Sequence, residues 1–373
     1  MRAICAGILL MGVATLQGQQ GAPTAGADEH LRNGVEAQRR GDVATAITEY
    51  RAALAIEPSL LEARANLGAA LAAAGQFDAA IAEDNKAVAQ APGNISLKKN
   101  LGLAYYKKGD MEHARTAFEA VHAARPSDLA TAVLLGYADI KVGKGAEAVA
   151  MLTPLEPGHE SNMDFEYVLG YAQILGGKQS EGLPRMEKVA QATRSADGYF
   201  IAGSSRWTRR EFKEARADLD AAAELNPNLP GVWTLAGEVR DALGDTEAAQ
   251  PAFENALRQD PKDPVANLYL GAMKLKQRDL DGAKPLLTLA LQLDPQKPQA
   301  QLQMAKLNSM TGNYADAAKA LEELAKNDPK WLDPHVELAA IYYKLHRPED
   351  GARERAIVEQ IEAQQQKTGP QSK

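Results

Sequence analysis

Cysteine is all but missing from this chain: of 373 residues only Cys5 carries a thiol, and it sits inside an N-terminal apolar run. If that run is removed on export, the mature protein contains no thiol. It then has no disulfide, and packing alone must stabilise it. Aromatics make up 5% of the residues, so a bulky aromatic core is excluded; text such as "LGAALAAAGQFDAAIAEDNKAVAQA" instead suggests helices packed closely through small side chains. Excess positive charge is also missing, with Lys+Arg 42 against Asp+Glu 49. That balance argues against nucleic acid as a partner, because phosphate binding needs clustered cations. HExxH, GxSxG, Walker A, GxGxxG, CxxC and EF-hand patterns are all absent. The six histidines are scattered. His113 and His122 are nine residues apart on one helix, which puts them about half a turn apart, on different faces. Neither an enzyme activity, a metal nor a cofactor is expected. Asn94-Ile95-Ser96 fits a glycosylation sequon but falls in an inter-helix loop.

Beyond the first twenty residues there is no apolar run of membrane-spanning length. Met1 to about Gln20 reads as one basic residue, Arg2, an apolar stretch from Ala3 to Leu16, and then small and polar residues. This is the layout of a secretory signal peptide, too short to cross a bilayer comfortably. Residues 1–26 are therefore expected to be a cleaved signal and leader. The mature chain would be periplasmic or secreted, with no stable membrane insertion. Cys5 lies too early for a lipoprotein cleavage site.

What the sequence has in abundance is a period. Small residues recur at Ala46, Ala80, Ala114, Ala148 and Gly182, then Ala215, Ala249, Ala283, Ala317 and Gly351. Every step is 34 except one of 33 (215 − 182). Gly34, Gly68, Gly102, Gly136 and Gly170, followed by Gly203, Gly237, Gly271, Ala305 and Ala339, keep the same phase and slip at the same place. Prolines at 58, 92, 126, 227, 261, 295 and 329 form a third series. The first two series fall in the middle of two successive helices, which can approach closely only where side chains are small. Gly41-Asp42, Gly75-Gln76, Gly109-Asp110, Gly244-Asp245 and Gly312-Asn313 mark the turns between them, with Gly in the left-handed conformation and the next residue capping the second helix. Proline closes each unit. A hairpin of this size cannot bury its apolar face alone; stacking buries it.

The pattern resembles the tetratricopeptide repeat, carried best by Trp233-x2-Ala236-Gly237 with Ala249, Phe253, Ala256 and Pro261, and by Leu101-Gly102-x2-Tyr105 with Ala114, Phe118 and Pro126. The resemblance covers about nine tenths of the chain. It implies an all-α, right-handed superhelical solenoid of about ten helix-turn-helix repeats at 27–60, 61–94, 95–128, 129–162, 163–195, 196–229, 230–263, 264–297, 298–331 and 332–365, with a disordered tail at 366–373. Repeats four and five lack the closing proline, and "MLTPLEPGHESN" puts Pro154 and Pro157 where a helix should finish, so their stacking is expected to be irregular.

The resemblance also implies a function: a scaffold binding a protein or peptide in a concave groove lined by the second, fifth, ninth and twelfth positions of each first helix. Carried over, these give Tyr106, Val133, Tyr137, Ile140, Tyr167, Tyr171, Ile174, Phe200 and Trp207 as an apolar stripe across repeats three to six. Repeat seven offers only Thr234, Glu238 and Asp241 there. Asn66 and Asn100, at the sixth position of consecutive repeats, are candidates to bond a peptide backbone. The stripe has a second reading, in which repeats four and five are degenerate and their tyrosines fill a repacked core. Lys99 lacks the companions of a two-carboxylate clamp, since Leu103 and Leu134 stand there. Two rival functions remain: an accessory subunit of a cell-envelope assembly or export complex, and an enzyme with a site in repeats four and five.

Overall fold

A computed structural model of the chain describes residues 24–368. The expected signal peptide lies almost wholly outside them. Among the described residues the regular elements are twenty α-helices and one 3-10 turn, without a strand. The chain divides into two compact units after Ser205. In the first, α1 (Ala25–Arg39) packs on α2 (Val43–Ile56), α3 (Leu61–Ala73) on α4 (Phe77–Gln90), α5 (Ile95–Lys108) on α6 (Met111–Ala124), α7 (Leu129–Lys141) on α8 (Gly145–Leu152), and α9 (Met163–Leu175) on α10 (Gln179–Thr193). Helix α11 (Ala196–Thr208) spans the division and α12 (Phe212–Leu225) follows it. The second unit continues with pairs α13 (Val232–Ala242) and α14 (Thr246–Gln259), α15 (Pro264–Lys276) and α16 (Leu280–Leu293), α17 (Pro298–Met310) and α18 (Tyr314–Asn327), and α19 (Leu332–Lys344) and α20 (Pro348–Thr368). Helix α20 runs into the segment expected to be a tail from residue 366; residues 369–373 lie outside the described part.

Local chemistry explains the hairpins. The turn residue after each first helix is left-handed at Gly41, Gly75, Gly109, Gly143, Gly177, Gly244 and Gly312. Arg210, Arg278 and His346 adopt the same conformation in the same series without glycine, at a steric cost. Asp42, Asp110, Asp245 and Asp279 then cap the second helix by accepting from a backbone N–H three residues on. The mid-helix glycines are spaces for one partner. A Cβ on Gly34, Gly102, Gly237 or Gly271 would lie 2.5–2.7 Å from Tyr50, Phe118, Phe253 or Leu287 respectively, in each case sixteen residues further on.

Repeat four departs from the pattern as its prolines suggest. Helix α8 has eight residues and runs into a 3-10 turn at Thr153–Leu155. An ion network ties down the loop that follows. Arg185 on α10 bonds Glu156 in the loop at 2.5 Å and the buried Glu166 on α9 at 2.8 Å, while Lys188 reaches Glu166 at 2.9 Å.

Candidate functional site

Four members of the expected stripe are not exposed. Val133, Tyr137, Ile140 and Tyr167 retain 2, 3, 5 and 6% of their surface. They pack into one cluster with Leu152, Phe165 and Val168, against the partly buried Tyr106, Leu129, Tyr171 and Ile174. Tyr137 lies 5.7 Å from Tyr106, centroid to centroid, and Tyr167 meets Tyr171 edge-on at 6.1 Å. Burial, reinforced by the Asp197 carboxylate, pushes the Tyr167 phenol well above its ordinary range. As exposed anchors these four are corrected to core side chains in this structure. Tyr106, Tyr171, Ile174 and Phe200 are half-buried and keep an accessible part. Trp207 falls in the second unit, against Phe212 at 5.3 Å. Asn66 is buried and out of reach of a ligand in this conformation, whereas Asn100 is half-buried.

The second unit has an open site that the stripe does not include. A cleft of about 480 Å³ is lined by Asp241, Tyr269, Ala272, Met273, Lys276, Gln303, Lys306 and Met310. Counted within their repeats, Tyr269 and Gln303 are sixth positions, Ala272 and Lys306 ninth, and Asp241 twelfth. These are the positions to which the resemblance assigns ligand contact. The Tyr269 ring stacks on Phe253 at 4.7 Å and 13°, which fixes its plane. Burial, with Glu238 and Asp241 nearby, pushes its phenol up to about 12, so it stays a hydrogen-bond donor at neutral pH. Burial raises the Asp241 carboxyl and Lys276 opposes that rise. Lys306 lies 3.5 Å from Glu337. Met310, 44% exposed, offers an adaptable apolar contact. Sequence reasoning missed this cleft because it looked for aromatic and aliphatic side chains at positions two, five, nine and twelve, and at the sixth position only for asparagine. The signal was in the sixth-position column, where Tyr269 and Gln303 return to polar side chains, as at Asn66 and Asn100, after the apolar Leu134, Val168, Ile201 and Leu235.

Elsewhere the polar residues have structural roles. His113 bonds Asp110 at 2.8 Å, His335 bonds Glu354 at 2.6 Å, and Asn94 caps α5 through Ser96 and Leu97. Among the described residues no group of three or more His, Cys, Asp or Glu side chains could hold a metal, and no helix is long and apolar enough to cross a membrane.

Three family models, each described as tetratricopeptide repeat, match residues 274–341, residues 31–95 and 234–298, and residues 100–128, together more than half of the chain. No curated protein matches the sequence. Among solved structures the chain is similar to a tetratricopeptide repeat protein from Parabacteroides merdae, with a TM-score of 0.54 at 16% identity over 72% of this chain and 100% of that one. It is also similar to the APC/C hetero-tetramer Cut9-Hcn1, with a TM-score of 0.49 at 11% identity over 91% of this chain and 94% of that one. A third is yeast Tom70, with a TM-score of 0.34 at 13% identity over 92% and 97%. The first of these likenesses supports the all-helical repeat fold.

Proposed function

This chain belongs to the tetratricopeptide repeat family, and from that premise we propose a non-catalytic scaffold that binds an extended protein or peptide segment in a concave groove, outside the cytoplasm. Repeats of this family generally mediate protein interactions. The observation that carries the reading is the cleft of repeats seven to nine. It sets a ring fixed by stacking, an amide and a lysine (Tyr269, Gln303 and Lys306) on ligand-facing positions, beside Lys276 and the exposed Met310. Such a surface offers anchors for side chains and donors and acceptors for a backbone. The export half of the proposal rests on the Arg2-to-Leu16 pattern, which predicts a mature N-terminus between about Gln19 and Asp28.

Panning a displayed peptide library on the chain lacking residues 1–26 tests the binding half. Selected peptides should lose about tenfold or more in affinity with Tyr269→Ala or Gln303→Ala, as expected for truncated anchors. The melting temperature is followed alongside. Peptides that bind both variants like the wild type would remove the cleft from the proposal. A partner that instead depends on the outer faces of the second helices would favour an accessory subunit of an envelope assembly.

A further inference from the structure

Repeat two breaks the pairing described above. Sixteen residues after the small inter-helix position repeats one and three to nine bury a large apolar side chain: Tyr50, Phe118, Leu152 and Met186 in the first unit, and Leu219, Phe253, Leu287 and Leu321 in the second, while the terminal repeat ten has the exposed Arg355 there. Repeat two places Asp84 there. It is 2% exposed, its Oδ1 has no hydrogen-bond partner, and a Cβ on Gly68 would fall on that oxygen. Around it Leu67 and Leu71 of α3, Ile81 of α4 and Ala104 of α5 belong to one apolar cluster.

Charges on the packed helices do not compensate it. On α3, Arg64 is bound to Glu83 at 2.8 Å, and Glu62 is the only other charged residue. On α4 itself, Lys86 also holds Glu83, at 2.7 Å, and Asp78 is bound to Lys108 at 2.6 Å. On α5, Lys99 is engaged by Asp128 at 2.9 Å and Lys108 by Asp78; Lys98, Lys107, Tyr105 and Tyr106 complete its titratable groups. Of all these only Glu83 acts on Asp84, and its charge is of the same sign.

We propose that Asp84 makes the joint of α3, α4 and α5 a proton-operated latch, closed while its carboxyl is protonated and loosened when the carboxyl ionises. Burial first, then Glu83, raises the folded carboxyl from 3.8 to about 7. A raised acid contributes stability that is complete below the unfolded value, near 3.8, and is lost as pH rises through about 7. In a repeat array each hairpin contacts only its neighbours, so the joint opens without melting the chain. Asn66 and Asn100 sit on the two helices that this joint holds.

Hydrogen exchange on the full chain between pH 5 and 8, expressed as protection factors corrected for intrinsic rates, tests the latch. The opening constant of α3 and α4 amides should rise with pH, by up to about tenfold per unit between 5 and 7, the limit for one linked proton. Amides of α15 and α16 serve as the internal reference and should not follow. Asp84→Asn keeps the shape and cannot titrate, so it should abolish the rise; Asp84→Leu should abolish it and raise protection as well. Should Asp84→Leu fail to fold, Asp84→Asn alone decides. An unchanged rise in Asp84→Asn, or a flat wild-type profile, would overturn the latch.

Discussion

At the fifth, ninth and twelfth positions of its repeat α7 carries Val133, Tyr137 and Ile140, all buried, whereas α13 carries Thr234, Glu238 and Asp241, all partly exposed. The helices behind them differ too. Helix α8 has eight residues before proline diverts the chain, and α14 has fourteen. Where the second helix is cut short it supplies fewer core side chains, and the first helix and its neighbour α9 make up the apolar mass. In repeat seven, beside a complete second helix, the first helix presents polar groups at these positions, although a complete partner does not by itself expose them, since Tyr167 of repeat five is buried beside the fifteen-residue α10. The same repeat position is thus core in one region and surface in the other, according to how its neighbours pack.

Truncating Tyr137 separates the two roles most sharply. Tyr137→Ala should cost roughly 3 to 5 kcal/mol of stability in urea unfolding, the range for emptying a buried aromatic site. Tyr269→Ala, at a partly exposed ring, should cost clearly less. Next comes the network that holds the shortened repeat. Arg185→Ala strips Glu166 of its closest cation while leaving it buried, and should destabilise by about 3 kcal/mol in the same assay. A loss below about 1 kcal/mol would mean that the loop after α8 is held by packing alone.

In the regular region the sensitive places are the small residues. Ala249→Leu should cost roughly 1 to 3 kcal/mol by overpacking a fully buried contact, while Lys262→Ala at the exposed turn should change little. The smallest expected effect has the opposite sign. Arg278→Gly relieves a left-handed residue at φ 63° and should stabilise by about 1 kcal/mol, read as a rise in melting temperature.

The period of 34 made the helices, turns and caps legible, because each rests on a local rule: glycine at a left-handed turn, aspartate at a cap, alanine or glycine where helices touch. Proline at 154 and 157 flagged the irregular repeat for the same reason. The buried state of Tyr137 and Tyr167 was not legible. It depends on how side chains of α7, α8 and α9 meet in one cluster, a property of packing between elements. The cleft was half legible, since Tyr269 and Gln303 stand in the column of Asn66 and Asn100, but that Asp241, Tyr269, Gln303 and Met310 from three repeats line one space follows only from how the repeats stack. Asp84 stands in the column of Tyr50, Phe118 and Phe253, a column the sequence reading did not draw out beyond its best-matching repeats. Its burial against Gly68 emerged only when the two helices were placed together.

Hydroxyl-radical footprinting of the ligand-free chain, read residue by residue by mass spectrometry, tests the contrast between the two regions most directly. Tyr137 and Tyr167, at 3 and 6% exposure, should be protected, whereas Met310 at 44% and Tyr343 at 38% should be modified at rates typical of open side chains. Modification of Tyr137 and Tyr167 at rates comparable to Tyr343 would contradict the account. It would return the aromatic stripe of repeats four and five to the surface as the binding face.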